Sequence, residues 1–319
     1  MRSILQLGLV LGSTALAVAA PLPPAPDVKP VRPDPGAPLA LIGREPLEQY
    51  VTAIEQWRAG RLQRLTGPAG WLALIGRHPL EPGTWSIGSA AGNGIRFAAG
   101  PANLGTLTCA ASGQVKFSLA PDVEGTIDGA IGRTAVLVHH GETPTYVRSG
   151  TINFYILESG GKLFVRVRDS ESARRRNFTG IESYPIDPAW RIVADWVPFD
   201  PPHTLRITNV LGLTEDAPCP GKAVFRYQDR NWELLPVIEE GDNRLFFIIT
   251  DATAGTETYE ASRFFYAEMP QDGKVVLDFN KVYNPPCAFT PFTTCPLPPK
   301  ENVLPFALRA GEKKYLGPH

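Results

Sequence analysis

The segment FFIITDATAGTETYEASRFFY, residues 246–266, gathers the groups best suited to chemistry. An apolar strand ends in Asp251, a turn passes through Thr253 and Gly255, and Glu257-Thr258-Tyr259 follows before Arg263 opens a second apolar strand. A hairpin of this form brings Asp251, Glu257, Tyr259 and Arg263 to one end. Two carboxylates beside a phenol can move a proton, with Asp251 or Glu257 as general base and Tyr259 as acid. The spacing D-x-T-x-G-x-E also echoes a calcium loop but lacks the run of acidic ligands such loops use. The same residues serve equally well as a hydrogen-bonded corner in which Arg263 pairs with Asp251 or Glu257.

Two further segments are rich in polar groups. In VRVRDSESARRRNF, residues 165–178, Arg166 and Arg168 alternate on one strand face, Asp169 ends the strand, and Arg174, Arg175 and Arg176 fall in a loop. Forked guanidiniums suit carboxylate or phosphate recognition, and strand positions hold them more rigidly than loops do. The plain alternative is a solvated charged hairpin. In residues 277–315, a strand runs into Asp278 and Asn280, then into a long Pro-rich irregular stretch holding Tyr283 and Asn284. Long loops of this kind often carry function, although asparagines also satisfy loop backbone groups.

Other chemistries find no support in the sequence. H-E-x-x-H, G-x-S-x-G and P-loop motifs are absent, so the expectation is no metal and no cofactor. His139 and His140 are adjacent, which in a strand turns them to opposite faces. A formal net charge of −1 gives no basic bias toward nucleic acid. Of the four cysteines, Cys287 and Cys295 bracket a short Pro-containing loop and make the favoured disulfide, with free buried thiols the alternative.

The elements that must position these groups are mostly strands. Residues 1–19 read as a cleavable signal peptide, with Ala17-Val18-Ala19 as the small-x-small site. The expected compartment is therefore the periplasm or the extracellular space, with no membrane span once the signal is removed. Residues 20–43 form a Pro-rich tether. A helix follows over about Pro46–Leu65, with Leu47, Val51, Ile54, Trp57 or Ala59, Leu62 and Leu65 on the apolar face. Glu48, Glu55, Arg58, Arg61 and Arg64 form its solvated face.

Everything after the helix reads as short alternating strands without βαβ order. They include Trp71–Ile75, Thr134–His139, Trp190–Trp196, Leu205–Asn209 and Leu304–Leu308, with turns at Gly160-Gly161 and Asp229-Arg230-Asn231. The expected fold is mainly β: one N-terminal amphipathic helix, then two packed antiparallel units. Residues 44–149 give the helix and a sandwich-like unit, and residues 150–319 a barrel-like unit.

Several strings resemble a known family. Asp278-Phe279-Asn280, Tyr283-Asn284-Pro285-Pro286-Cys287-Ala288-Phe289, Cys295-Pro296-Leu297-Pro298-Pro299, Glu301-Asn302 and Ala310-Gly311-Glu312-Lys313 are similar to the domain-of-unknown-function 1684 family of bacteria and archaea. Gly70-Trp71-Leu72, Arg168-Asp169, Thr256-Glu257-Thr258-Tyr259 and Arg263 extend the resemblance to about residues 50–315. It implies a prokaryotic source and a bacterial envelope location, and it implies no activity. Ala261-Ser262 stands before Arg263 where that family has glycines, which implies a less tight turn.

Residues 82–107 resemble the start of a forkhead-associated β-sandwich, through Ile87-Gly88-Ser89 and Asn93-Gly94-Ile95. Those domains bind phosphothreonine through an Arg after the glycine and an S-x-x-H turn. Here Ser89 follows Gly88 and Pro101-Ala102-Asn103-Leu104 fills the turn, so the resemblance implies the sandwich geometry alone.

The expected site is one polar cluster in the C-terminal half, drawing on Arg166, Arg168, Asp169, Asp251, Glu257, Tyr259, Arg263, Asp278, Asn280, Tyr283 and Asn284. The leading expectation is a binding module for a small anionic or carbohydrate-like ligand. The alternatives are a metal-independent hydrolase or lyase using Asp251, Glu257 and Tyr259, and a structural envelope domain.

Overall fold

The computed structural model describes residues 46–140 and 143–318; the expected signal peptide and tether lie outside the described residues. Helix α1 spans Leu47–Thr66, with Pro46 at its N-cap and Gly67 after its end. Its buried face is Tyr50, Ile54, Arg61 and Leu65, a spacing of four and seven residues that keeps one side of a helix. The expected apolar stripe is only partly realised. Leu47 and Leu62 are 60% and 40% exposed, while Arg61, expected in solvent, is 9% exposed. The surface that receives the helix is itself polar, and this decides which side chains turn inward.

Ten strands follow. They are β1 (Leu74–Pro79), β2 (Gly83–Gly88), β3 (Ile95–Arg96), β4 (Gly105–Cys109) and β5 (Val115–Leu119), then β6 (Thr126–Ile127), β7 (Thr134–Leu137), β8 (Val147–Ser149), β9 (Ile152–Ser159) and β10 (Lys162–Asp169). They make two five-stranded sheets, in the orders β1-β10-β9-β8-β6 and β3-β2-β4-β5-β7. Between them lies a core that includes Ile87, Phe97, Leu107, Phe117, Phe154, Val165 and Val167. Strand β5 shows the logic: Val115, Phe117 and Leu119 are buried, and Lys116 and Ser118 between them are not. Gly160 and Gly161 sit at φ 57° and 68°, the geometry of a two-residue hairpin turn.

Three expectations change in this half. The sandwich does not stop at residue 149, because β9 and β10 lie in the middle of the first sheet. Trp71–Ala73 is a single 3-10 turn that leads into β1 rather than the start of a strand. His139 and His140 lie beyond the end of β7, so their rings meet edge-on at 5.4 Å instead of pointing apart.

After a short helix α2 (Ala173–Arg176) come β11 (Arg191–Thr208), β12 (Thr214–Tyr227), β13 (Arg230–Leu234), β14 (Leu245–Asp251), β15 (Arg263–Ala267), β16 (Lys274–Asp278) and β17 (Val303–Leu304). Sheets β13-β12-β11-β16 and β15-β14-β17 enclose a second core that includes Phe225, Phe247, Phe265, Leu277, Phe279 and Leu308. Among the antiparallel sheets of the whole fold there is one half-barrel. Strand β14 is buried on both faces, since Phe246 and Ile248 belong to a third core with Phe264 and Ile207. Its unbroken apolar run reflects this.

Residues 190–196 and 205–209, read as two strands, are one strand. Pro198, Pro201 and Pro202 lie inside β11, where the pairing with β12 skips from Pro198 to His203. The missing proline donors thus interrupt the ladder without ending the strand. The β12–β13 turn falls at Gln228 and Asp229, both at positive φ, one residue earlier than expected. Beyond β17 the chain is irregular, so the expected strand over 304–308 is confined to its start.

Candidate functional site

Asp251 ends β14 and Arg263 opens β15, and the hairpin brings them together as expected. Arg263 Nη2 donates to Asp251 Oδ2 at 2.7 Å, with both side chains 1% exposed. Asp251 Oδ1 accepts from Thr253 N at 2.9 Å, Thr253 Oγ1 at 2.7 Å and Leu308 N at 3.1 Å. The guanidinium also donates to the carbonyls of Ala310, Leu308 and Glu312, at 2.7, 2.8 and 3.3 Å. Both carboxylate oxygens are engaged, so this is a corner that fastens the 308–312 segment to the β14–β15 hairpin.

Glu257 and Tyr259 leave the corner in different directions. Glu257 accepts from Tyr184 Oη at 2.9 Å and from Arg309, whose Nη2 reaches it at 2.7 Å. These bonds, Arg309 first and Tyr184 second, lower its carboxyl to about 2. A base so weak accepts few protons at neutral pH. Burial, helped by Glu257, pushes the Tyr184 hydroxyl up to about 12. Tyr259 instead packs into a fourth apolar cluster with Leu65, Leu72, Ala288, Phe289 and Tyr315. Burial raises its hydroxyl.

Asp278, Asn280, Tyr283 and Asn284 receive the helix. Tyr50 Oη donates to Asp278 Oδ1 at 2.9 Å and accepts from Asn280 Nδ2 at 2.9 Å. Arg61 Nε reaches Glu312 Oε1 at 3.3 Å, and Arg61 Nη2 donates to the Asn284 carbonyl at 2.9 Å. Its guanidinium lies 4.7 Å from the centre of the Tyr283 ring. Glu312 Oε2 accepts from Asn284 N at 2.7 Å. Gly311 makes the approach possible: its φ is 74°, and a Cβ there would stand 2.2 Å from the Val282 carbonyl oxygen. Cys287 and Cys295 stand at disulfide distance, with Cα atoms 6.1 Å apart; Cys109 and Cys219 are buried and free.

Arg166 and Arg168 belong elsewhere, on the outer face of the first sandwich sheet. In the strand register Arg77 faces Arg166, which faces Tyr155. In the adjoining row Arg168 faces Asn153, which faces Arg148. Four arginines thus share one face. Arg166 and Arg168 donate to Tyr155 Oη at 3.1 and 3.5 Å, and the Arg166 guanidinium lies 5.6 Å from the Trp71 ring. No carboxylate among the described residues pairs with Arg77, Arg148, Arg166 or Arg168. Arg77 Nε, Arg148 Nη2, Arg166 Nε and Arg168 Nε are buried without a hydrogen-bond acceptor. Burial, and then the charge of Arg166, lower the pKa of Arg77. Asp169 at the strand end accepts from Glu171 N at 2.9 Å and does not neutralise the face.

The expected single cluster therefore divides. Asp251 and Arg263 form one corner, tied to Asn284 through Glu312, whose carbonyl accepts from Arg263 and whose carboxylate accepts from Asn284 N. Asp278 and Asn280 receive Tyr50, and Arg166 and Arg168 lie on a different sheet. The expected charged loop over Arg174, Arg175 and Arg176 is a short helix capped by Ser172. It clamps backbone, Arg174 on the Leu74 carbonyl at 2.6 Å and Arg175 on that of Thr66 at 2.6 Å. Sequence reasoning missed Arg77 and Arg148, which join the arginine face only through cross-strand register. It put Arg61 on the solvated helix face and left Glu312 out of the expected cluster; the signal for Arg61 was its place four residues before Leu65 on the buried face.

Among the described residues no helix is long and apolar enough to cross a membrane. Residues 176–313 match the family model described as Protein of unknown function (DUF1684). The match takes in the strings from Thr256 to Lys313, while Gly70-Trp71-Leu72 and Arg168-Asp169 fall outside it. The solution NMR structure of an uncharacterised protein from Haloarcula marismortui is 28% identical, with a TM-score of 0.38, over 44% of this chain and 80% of that one. No curated protein matches.

Proposed function

With residues 176–313 as a DUF1684 segment, a family whose function is unknown, we propose that this chain is an exported β module that binds a small anionic ligand. The ligand seats on the outer face of the first sandwich sheet. One observation carries this reading: Arg77, Arg148, Arg166 and Arg168 share that face, and no carboxylate among the described residues pairs with any of them. Like charges set opposite one another across strands, as Arg77 and Arg166 are, destabilise a sheet. An anion relieves that repulsion and supplies acceptors to the four buried nitrogens. Export rests on the signal-like residues 1–19, and the Cys287–Cys295 pair suits an oxidising compartment. The acid–base alternative has less support, because Asp251 is engaged by Arg263 and Tyr259 packs into an apolar cluster apart from it.

Thermal shift with phosphate and acetate, against chloride at matched ionic strength, tests the proposal. A ligand at 100 times its dissociation constant stabilises by about 2.7 kcal/mol. The wild type is expected to respond, and the Arg166→Met/Arg168→Met double variant to lose the response while melting at the same temperature or higher. An unchanged response in the double variant, or none in the wild type, rejects the site.

A further inference from the structure

We infer that the ligand of the arginine face is a hydroxylated anion, a sugar carrying a carboxylate or a phosphate; this rests on the anion-binding reading and adds the sugar to it. The observation is Asn153. It stands between Arg168 and Arg148 in register, and its Oδ1 is buried with no hydrogen-bond donor. On either side of it, Arg168 Nε and Arg148 Nη2 are themselves buried without an acceptor. The face therefore presents both signs of hydrogen-bonding demand at one place. Its nitrogens need acceptors, and one buried oxygen needs a donor.

A plain anion meets only the first demand. Carboxylate and phosphate oxygens accept from guanidiniums and, when ionised, carry nothing to donate. A neutral sugar meets the second demand and leaves the arginines uncompensated. A ligand with a hydroxyl beside its anionic group meets both, the hydroxyl donating to Asn153 Oδ1 while its anionic oxygens take the Arg168 and Arg148 nitrogens. Tyr155 completes the geometry. Its oxygen already accepts from Arg166 and Arg168, so its own proton is directed away from them and is available to a ligand oxygen. Arg168 is 8% exposed, whereas Asn153, Arg148 and Arg166 keep part of their surface open. The deepest guanidinium thus sits behind a partly open row.

Calorimetric titration of the protein with glucuronate, acetate, glucose 6-phosphate, inorganic phosphate and glucose tests this. At least one sugar anion is expected to bind about ten-fold tighter than its plain counterpart, the worth of one added hydrogen bond in a buried site. Glucuronate exceeding acetate identifies a carboxylate ligand, and glucose 6-phosphate exceeding phosphate a phosphorylated one. Asn153→Leu is expected to erase that ratio while leaving acetate and phosphate affinities unchanged. Asn153→Asp places a carboxylate between Arg148 and Arg168. It is expected to melt higher than the wild type and to lose affinity for every anion, which controls for a misfolded leucine variant. If acetate and phosphate bind through Arg168 but the sugar anions bind no tighter, the sugar inference falls and anion binding stands. If no anion binds, both fall together.

Discussion

Asp251 and Arg263 show how far a residue's chemistry depends on what is already engaged. A carboxylate at the end of a hairpin beside an arginine suits either acid–base work or a corner, and the four hydrogen bonds Asp251 accepts from Arg263, Thr253 and Leu308 favour the corner. Asp251→Asn keeps the shape and removes the charge, leaving the Arg263 guanidinium, 1% exposed, without its counter-ion. Breaking a buried pair from one side costs about 3–5 kcal/mol. We expect a loss near the lower end, because three carbonyls still hold Arg263. Urea denaturation should show it as a lower midpoint, with anion affinity at the sandwich face unaffected. Glu257 makes the contrasting case at the surface. Its carboxyl is depressed to about 2 by Arg309 and Tyr184. The stabilisation from that pair is therefore fully present above the ordinary glutamate range near ~4.3 and is lost as pH falls through about 2. In Arg309→Ala, carbon-detected NMR titration of Glu257 should show the midpoint moving up toward the ordinary value. A midpoint that stays put would assign the depression to Tyr184 alone.

Helix α1 is the element on which sequence and structure differ most usefully. A hydrophobic stripe is a guide to the buried face only when the receiving surface is apolar. Here that surface carries Asp278, Asn280, Asn284 and Glu312, so Tyr50 and Arg61 turn inward with Ile54 and Leu65, and Leu62 turns out. Arg61→Ala is expected to cost about 3 kcal/mol or more, since it strands Glu312, whose side chain is 6% exposed. Leu62→Ala should fall within about 0.5 kcal/mol of the wild type. The reverse order in a denaturation series would restore the apolar-stripe reading. The strands were easier to read, for a physical reason. Val115–Leu119 alternates because one face meets the core and the other water, a property local to five residues. The arginine face was half legible: alternation along β10 pairs Arg166 with Arg168, whereas Arg148 joins only through the register of two successive hairpins and Arg77 arrives from β1, distant in sequence. No local pattern encodes the β1–β10 register. Strand β11 was hidden by its own prolines, which signal a break that the ladder tolerates as an irregularity.

At the scale of the molecule, the question is what α1 holds together. The sandwich core contains residues from Leu80 to Val167 and none from the helix. The hydrogen-bond and ion-pair partners described for Tyr50 and Arg61 lie beyond residue 183, at Asp278, Asn280, Asn284 and Glu312, as does that of Arg58, the Tyr184 carbonyl. Leu65 joins Leu72, Ala288, Phe289 and Tyr315 in a cluster that spans the start of the sandwich and the C-terminal loop. The helix is thus bound to the C-terminal half by buried hydrogen bonds and to the start of the sandwich through that small cluster, while Arg175 of α2 clamps the Thr66 carbonyl. Removing residues 46–67 should therefore act unequally. Glu312 and Asp278 lose Arg61 and Tyr50, and groups buried with those partners become costly to keep buried. Hydrogen exchange is expected to show faster exchange at amides of 278–315, while those of β4, β5, β9 and β10 keep their protection. Loss of protection in the sandwich first would mean that the two halves fold as one cooperative unit. The arginine face lies wholly on the sandwich, so the anion response proposed for it should persist in the shortened protein, because its four arginines are placed by strand register and not by the helix.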